Sequence, residues 1–165
     1  MNDRRAFLGA AGAGAVALLL FGRSGSSART PSAPRQKFAV THSPAEWQRI
    51  LGPKRYAVLR EAATEPPFSS PLLNEHRKGL FVCAGCAQPL FSSATKFESG
   101  TGWPSFWTVL RGAVVTRSDH SLMMERTEVL CARCGGYLGH VFDDGPKPTG
   151  LRYCMNGLAL KFRPA

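Results

Sequence analysis

Short segments rich in Val, Phe and Leu recur in the C-terminal half of the chain, separated by glycines, prolines and polar turns. In the last of them Leu158, Leu160 and Phe162 alternate with more polar neighbours, which is typical of a strand with one buried face. We expect strands at Leu80–Val82, Phe106–Leu110, Val114–Thr116, Leu122–Arg126 and Leu158–Arg163. This pattern predicts a mainly β fold, built as a small antiparallel β-sheet domain.

Helical periodicity is confined to the segment that precedes these strands. Ser43, Pro44 and Glu46 offer an N-cap, a proline at the first helical position and a capping-box glutamate, which together predict a helix start. A second amphipathic stretch runs from Lys54 to Ala63, and Pro66-Pro67 should stop it. We therefore expect one or two helices on the N-terminal side of the sheet.

The first 28 residues have the layout of an export signal. Arg4 and Arg5 precede an apolar stretch from Gly9 to Phe21, and Ser26-Ser27-Ala28 offers a cleavage site, so the segment resembles a twin-arginine signal. The alternative is an uncleaved membrane anchor, but the stretch is shorter than the roughly 20 apolar residues that span a bilayer. We expect cleavage after Ala28 and an exported, periplasmic or otherwise extracytoplasmic protein. Residues 29–42 then form a flexible linker, and residues 43–165 form one domain.

The charge of the chain is strongly basic but not clustered. The net charge is +10, and loss of residues 1–28, with three arginines and one aspartate, would leave +8. The positive residues are scattered from Arg29 to Arg163, so we interpret them as a soluble basic surface and expect no nucleic-acid partner. A chain of 165 residues has room for one compact domain, and we expect a monomer.

Four cysteines form two matched CxxC knuckles, at Cys83 and Cys86 and at Cys131 and Cys134. Two such pairs predict a tetrahedral zinc site with four thiolate ligands, and because that site has no open position its role should be structural. Three alternatives stay open: a redox dithiol, two structural disulfides, and the zinc ribbon of a nucleic-acid-binding module.

The fifth cysteine, Cys154, needs a separate explanation in an exported chain. Arg152 precedes it by two positions and Asn156 follows it by two, so on a strand the three side chains would share one face. A guanidinium beside a thiol favours the thiolate, which is the nucleophilic form. A buried inert cysteine is the alternative.

Four further motifs, together with both CxxC pairs, resemble those of the B-type methionine-R-sulfoxide reductases. They are KFESGTGWPSF (96–106), RTEV (126–129), GHVFDDGP (139–146) and LRYCMN (151–156). The resemblance runs from about Ser43 to Phe162. It implies a small β fold that holds zinc away from the active site, and an enzyme that reduces the R epimer of methionine sulfoxide in peptides or oxidised proteins.

The resemblance also implies roles for individual residues. Cys154 would be the nucleophile that becomes a sulfenic acid, and His140 would deliver a proton to the sulfoxide oxygen. Trp103 would pack against the methyl group of the substrate. Asp144 would orient the donors of the site, and Arg152 and Asn156 would support the thiolate.

Two positions depart from the commonest pattern of that family. Thr101 stands where many members have a cysteine that resolves the sulfenic acid, so we expect an external, thioredoxin-like thiol to do so. Tyr137 stands where some members have a second histidine, and a phenol can also donate a hydrogen bond. The competing functions are a zinc-ribbon binding module and an exported thiol-disulfide oxidoreductase, and bound zinc would argue against the latter.

Overall fold

The computed structural model describes residues 37–120 and 125–165. The predicted export signal and residues 29–36 of the predicted linker lie outside this part of the chain. Residues 37–42 have no regular structure, yet the Val40 N–H donates to the Arg133 carbonyl at 2.9 Å, and the Phe38 ring lies against Gly135. Along the described residues, no helix is both long and apolar enough to cross a membrane.

The N-terminal helical region is a single kinked helix, α1 (Pro44–Glu61). Its start is as predicted: the Ser43 hydroxyl accepts from the Glu46 N–H, and the Glu46 side chain accepts from the Ser43 N–H. Gly52, with φ 68°, breaks the helical backbone, and Pro53 begins the second part. The helix ends at Glu61, before the two prolines, because Ala62 takes a left-handed conformation.

Nine strands follow within the described residues, as a mainly β fold predicts. They are β1 (Gly79–Cys83), β2 (Pro89–Ser92), β3 (Lys96–Phe97), β4 (Ser105–Phe106), β5 (Val114–Asp119), β6 (Arg126–Cys131), β7 (Tyr137–Phe142), β8 (Arg152–Met155) and β9 (Leu160–Pro164). These strands pair in antiparallel fashion, in a three-stranded sheet of order β2-β1-β9 and a six-stranded sheet of order β3-β4-β8-β7-β6-β5.

Two of the predicted strands need correction, and a third falls mostly outside the described residues. The strand expected over Phe106–Leu110 ends at Phe106, because the Trp107 N–H donates to Thr95 in a 3-10 helix while the Leu110 N–H donates to Leu90 of β2, so the segment pairs with no single strand. The strand expected over Leu122–Arg126 falls mostly on residues 121–124, which lie outside the described part of the chain; of its remaining two residues, Arg126 begins β6 and Glu125 is in no strand. Residues 157–159 form a short 3-10 helix, so the final strand starts at Leu160.

Three phenylalanine rings join the two sheets in the core. Phe91 of β2 stacks on Phe106 of β4 with ring centroids 4.3 Å apart, and Phe81 of β1 meets Phe106 edge-on at 4.9 Å. All three side chains are fully buried. Because each such ring removes a large apolar area from water, this contact fixes the sheets against each other.

Candidate active site and metal centre

The six-stranded sheet places Cys154 at the centre of a polar row. Cys154 of β8 lies directly opposite His140 of β7 on one side and Ser105 of β4 on the other, and His140 lies opposite Glu128 of β6. Residues opposite each other in a sheet project from the same face. The register therefore brings the predicted nucleophile and the predicted proton donor side by side, although 14 residues separate them in sequence.

Glycine at position 139 is needed for this close approach of β7 and β8. A Cβ atom at Gly139 would lie 2.1 Å from the Cys154 carbonyl oxygen, which is shorter than any tolerated contact. The pairing of β6 with β7 also shifts register between Val129 and Leu130. Beside this irregularity, Tyr137 and His140 of β7 come within hydrogen-bond distance of each other.

Cys154 lines a cavity of about 150 Å³ together with most of the predicted site residues. The side chains that share it are Thr64, Trp103, Arg126, Tyr137, His140, Phe142, Cys154 and Asn156. A larger cavity of about 960 Å³ lies beside α1 and β9, but Cys154 does not line it. We place the chemistry in the smaller cavity because a thiol, an imidazole and an aromatic wall converge there.

Both ring nitrogens of His140 have partners. Nε2 lies 3.0 Å from Oδ2 of Asp119 on β5, and Nδ1 lies 3.2 Å from the Tyr137 hydroxyl. Arg126 donates to the same Asp119 oxygen at 2.6 Å. Sequence reasoning did not single out Asp119, and it gave Arg126 no role although that residue begins the RTEV motif, because both roles depend on the pairing of β5 with β6 and of β6 with β7.

Arg152 and Asp144 form a two-pronged ion pair at the edge of the site. Nε and Nη2 of Arg152 donate to the two carboxylate oxygens of Asp144, both at 2.8 Å. The Arg152 hydrogen bonds hold the pKa of Asp144 below its usual value, and the pair raises the pKa of Arg152, with the Cys154 thiolate adding to it. The guanidinium also lies over the Phe142 ring at 4.4 Å. Neither Arg152 nor Asp144 lines the cavity; Arg152 interacts with Cys154 from beside it, and Asp144 acts on the site only through Arg152.

Asn156 follows the end of β8 and is almost fully buried. Its Oδ1 accepts from the Glu65 N–H at 3.0 Å, and its Nδ2 donates to the Leu138 carbonyl at 3.3 Å. Asn156 lines the same cavity as Cys154, so it belongs to the site although it is held by neighbouring backbone.

Glu65, which the sequence did not single out, ties two site residues together. Its carbonyl accepts from Trp103 Nε1 at 3.0 Å, and its N–H donates to Asn156. Its carboxylate accepts from the N–H groups of Gly157 and Leu158. Burial raises the pKa of this carboxyl despite those two hydrogen bonds, which lower it. Trp103 itself is half-buried and forms one wall of the cavity.

The four knuckle cysteines converge at a separate place, between the end of β1 and the β6–β7 turn. All four sulfur atoms lie within 4.8 Å of one another, with 3.7 Å between Cys83 and Cys134 and 3.5 Å between Cys86 and Cys131. Four sulfurs about 2.3 Å from a tetrahedral ion would be roughly 3.8 Å apart. The cluster can therefore hold a metal ion, and its dimensions suit zinc.

The four thiols do not ionise equally, because they hydrogen-bond to one another. Hydrogen bonding to Cys131, with burial adding to it, raises the pKa of Cys83 and of Cys134, whereas hydrogen bonding within the cluster lowers the pKa of Cys86 and of Cys131. A bound cation stabilises all four as thiolates. All five cysteines are free in this structure, in contrast to the disulfide alternative.

Comparison with known proteins agrees with this arrangement. The family model of the SelR domain matches residues 51–164. Relatives named peptide methionine sulfoxide reductase MsrB include that of Methanosarcina barkeri, 54% identical over 126 residues, which are 76% of this chain and 89% of that protein. That of Bradyrhizobium diazoefficiens is 56% identical over 126 residues, 76% of this chain and 91% of its own length.

A SelR domain with a cavity thiol and a remote four-cysteine cluster defines a class of thiol-bearing oxidoreductases. The chain belongs to the MsrB family within that class. The expectations that it is an enzyme and has a mainly β fold are thereby confirmed, and the alternative of a zinc-ribbon binding module is not supported.

Proposed function

We propose that this protein reduces peptide-bound methionine-R-sulfoxide to methionine with Cys154 as the nucleophile. The observation that carries the proposal is the position of the Cys154 thiol in a cavity with His140, Trp103 and Asn156. The named relatives and the sequence motifs support the same substrate. The preference for the R epimer rests on the resemblance to B-type enzymes.

The proposed reaction transfers one oxygen atom from substrate to enzyme. The Cys154 thiolate attacks the sulfoxide sulfur, and a proton supplied through His140 reaches the oxygen as negative charge develops on it. The oxygen moves to Cys154, which becomes a sulfenic acid, and methionine leaves. The cysteine sulfur loses the two electrons that the sulfoxide sulfur gains.

The surrounding side chains supply orientation and charge. The Trp103 ring offers an apolar wall for the methyl group of the substrate, and its indole N–H is already bound to the Glu65 carbonyl, which fixes the ring. The Arg152 guanidinium, held by Asp144, stabilises the thiolate form of Cys154 by its positive charge. Asn156 lines the cavity beside Cys154.

The sulfenic acid is proposed to be resolved by an external, thioredoxin-like thiol. The Thr101 hydroxyl oxygen lies 3.7 Å from the Cys154 sulfur, and this side chain has no thiol. The other four cysteines belong to the remote cluster. A disulfide between Cys154 and another cysteine of the chain during turnover would contradict this step.

The metal of the four-cysteine cluster is proposed to be zinc with a structural role. When bound, the ion would be held by Cys83, Cys86, Cys131 and Cys134 and would cross-link the knuckles, with no open position for substrate. We also propose that the protein is exported by the twin-arginine signal at residues 1–28 and acts as a monomer outside the cytoplasm, on the strength of the sequence alone. If that signal were retained as a membrane anchor, the protein would be attached to the membrane and the proposed activity would be the same.

The direct test compares the wild type with Cys154→Ser on the separate R and S epimers of a peptide methionine sulfoxide, with a dithiol as reductant. The wild type should turn over the R epimer alone, and the serine variant should turn over neither. Equal rates on both epimers would contradict the proposed specificity, and normal activity of Cys154→Ser would contradict the proposed nucleophile.

A further inference from the structure

The two ring nitrogens of His140 differ in the kind of partner they contact. Nε2 faces the Asp119 carboxylate at 3.0 Å, and Nδ1 faces the Tyr137 hydroxyl at 3.2 Å. Asp119 is ionised in this setting because the Arg126 guanidinium donates to the same oxygen at 2.6 Å. An ionised carboxylate only accepts hydrogen bonds, so Nε2 must carry a hydrogen in both charge states of the ring.

It follows that the exchangeable proton of His140 resides on Nδ1. In the neutral ring Nδ1 accepts from the Tyr137 O–H, whereas in the charged ring Nδ1–H donates to the Tyr137 oxygen. Whichever group receives a proton from His140 must therefore receive it at Nδ1, where the contact is Tyr137.

Tyr137 is positioned to pass that proton into the cavity. Its side chain is 5% exposed and lines the cavity beside Cys154 and Trp103. Burial raises the pKa of the phenol, so it holds its proton at neutral pH. The Tyr137 hydroxyl can thus donate a proton, and the neighbouring His140 can replace the proton that was donated.

We propose that the Tyr137 hydroxyl is a catalytic proton donor to the sulfoxide oxygen and that His140 Nδ1 reprotonates it, with Asp119 as the positioning residue that fixes the histidine tautomer. This inference rests on the proposed function and deepens it. It also gives Tyr137, a departure from the family pattern, a specific role.

The proposed step balances. The Tyr137 O–H bond breaks as an O–H bond forms on the sulfoxide oxygen, and the His140 Nδ1–H proton moves to the phenolate oxygen. Cys154 forms a bond to the sulfoxide sulfur, and the oxygen then transfers to give a sulfenic acid and methionine. His140 is left neutral, still bound to Asp119 through Nε2–H, and regains its proton from solvent.

Several other charged groups face His140 and can contribute to the pH dependence of methionine release. They are Arg117 and Asp119 on β5, Arg126 and Glu128 on β6, and Arg152 and Cys154 on β8. Arg117 is paired with Glu128, and Arg126 and Arg152 with Asp119 and Asp144. The negative charges of these carboxylates are therefore largely neutralised by arginines. Asp119 is in addition within hydrogen-bond distance of the His140 ring.

The first test is single-turnover release of methionine, without reductant, by the full chain against pH. Tyr137→Phe should slow the release about 10²-fold, and Tyr137→His should recover most of the rate because an imidazole restores a donor. Tyr153→Phe is the matched control: Tyr153 lies on β8 against Phe91, does not line the cavity, and its variant should behave as the wild type.

The second test is a ¹⁵N NMR measurement of the His140 tautomer, which needs no substrate. The proposal expects Nε2–H and an unprotonated Nδ1 in the neutral ring. Asp119→Asn should shift part of the neutral ring to the Nδ1–H form, because an amide side chain can donate to Nε2 as well as accept from it. Glu75→Gln removes another arginine-paired carboxylate outside the site and should leave the His140 tautomer unchanged.

Three results would overturn the proposed relay. Release by Tyr137→Phe at the wild-type rate, or a neutral His140 with its proton on Nδ1, would overturn the relay. So would a Tyr137→His variant as slow as Tyr137→Phe while Cys154 of both still alkylates at the wild-type rate. Absence of R-sulfoxide reduction by the wild type would overturn the proposed function itself, not the relay alone.

Discussion

Thr101 illustrates how one side chain decides the fate of the oxidised enzyme. Its hydroxyl lies 3.7 Å from the Cys154 sulfur and 2.8 Å from the Ser99 hydroxyl, in the turn that leads to Trp103. A hydroxyl cannot form a disulfide, so a sulfenic acid on Cys154 has to await a thiol from outside. The proposed dependence on an external reductant is thus a property of this residue.

Thr101→Cys should convert the protein to internal resolution. A thiol at this position needs only a small rotation to reach the disulfide bonding distance of about 2.05 Å, so reaction with methionine-R-sulfoxide should consume two free thiols per methionine formed, against one in the wild type. Thiol titration and peptide mapping would measure this. Thr101→Ser is the control and should match the wild type. Failure of Thr101→Cys to form a 101–154 disulfide would show that the turn holds the two residues apart.

Other residues of the site show the limit of sequence reasoning at this scale. The motifs named Cys154, His140 and Trp103, and the structure gathers all three around one cavity. They did not name Asp119 or Glu65, since a buried carboxylate is recognisable only from what it contacts. Asp119 meets His140 across β6, and Glu65 meets Asn156 from a segment 91 residues away in sequence.

Among the elements, the segment after α1 and the 3-10 helix at Gly157–Ala159 form one unit through Glu65. The carboxylate accepts from two N–H groups at the start of that 3-10 helix, while the Glu65 backbone binds Trp103 and Asn156. A substitution of the Glu65 carboxyl should therefore affect both the stability of the fold and the cavity wall formed by Trp103 and Asn156.

Glu65→Gln tests the charge of that carboxyl. Burial raises its pKa above the ordinary 4.5, so the folded chain binds this proton more tightly than the unfolded chain. Its contribution to stability is full below about pH 4.5 and declines as the pH rises through the folded pKa. The stability advantage of the wild type over Glu65→Gln should accordingly shrink as the pH rises above the ordinary pKa of 4.5 and through the raised pKa of the folded state.

Urea unfolding at several pH values would measure that difference. At the acid end the glutamine should cost about 1–3 kcal/mol, because its amide N–H₂ faces an N–H group of the 3-10 helix. An advantage that grows with pH would mean that the hydrogen bonds to the carboxylate outweigh its burial.

Periodicity predicted the elements only where it was strong. The capping box gave the start of α1, and the alternation ending at Phe162 gave most of β9. The strands β2, β3, β7 and β8 were not predicted, since β7 has an irregular register with β6, and β2, β3 and β8 have four residues or fewer. The Trp107–Leu110 segment looks like a strand in composition but donates to two different segments.

For the whole molecule, the four-cysteine cluster and the phenylalanine contact are two connections between the sheets. Cys83 ends β1 of the three-stranded sheet, and Cys131 ends β6 of the six-stranded sheet. A metal ion held by both knuckles would cross-link the sheets at one place, as Phe81, Phe91 and Phe106 pack them at another.

Loss of the metal should destabilise the protein as a whole. Cys131→Ser, or removal of zinc by a chelator, should lower the free energy of unfolding by at least about 3 kcal/mol, because metal binding energy is also folding energy. Thermal unfolding and zinc content would be measured together. Cys154→Ser is the matched control and should keep both its zinc and its melting temperature. An unchanged melting temperature in zinc-free protein would contradict a structural role for the cluster.

The central claim is that oxygen from the substrate passes to the sulfur of Cys154. It can be measured by mixing the protein with an equal amount of a peptide methionine-R-sulfoxide, without reductant, and trapping sulfenic acid with dimedone for mass spectrometry. The account predicts one methionine released per chain and a dimedone adduct on Cys154 alone. An adduct on any of the four cluster cysteines, or methionine release without modification of Cys154, would contradict it.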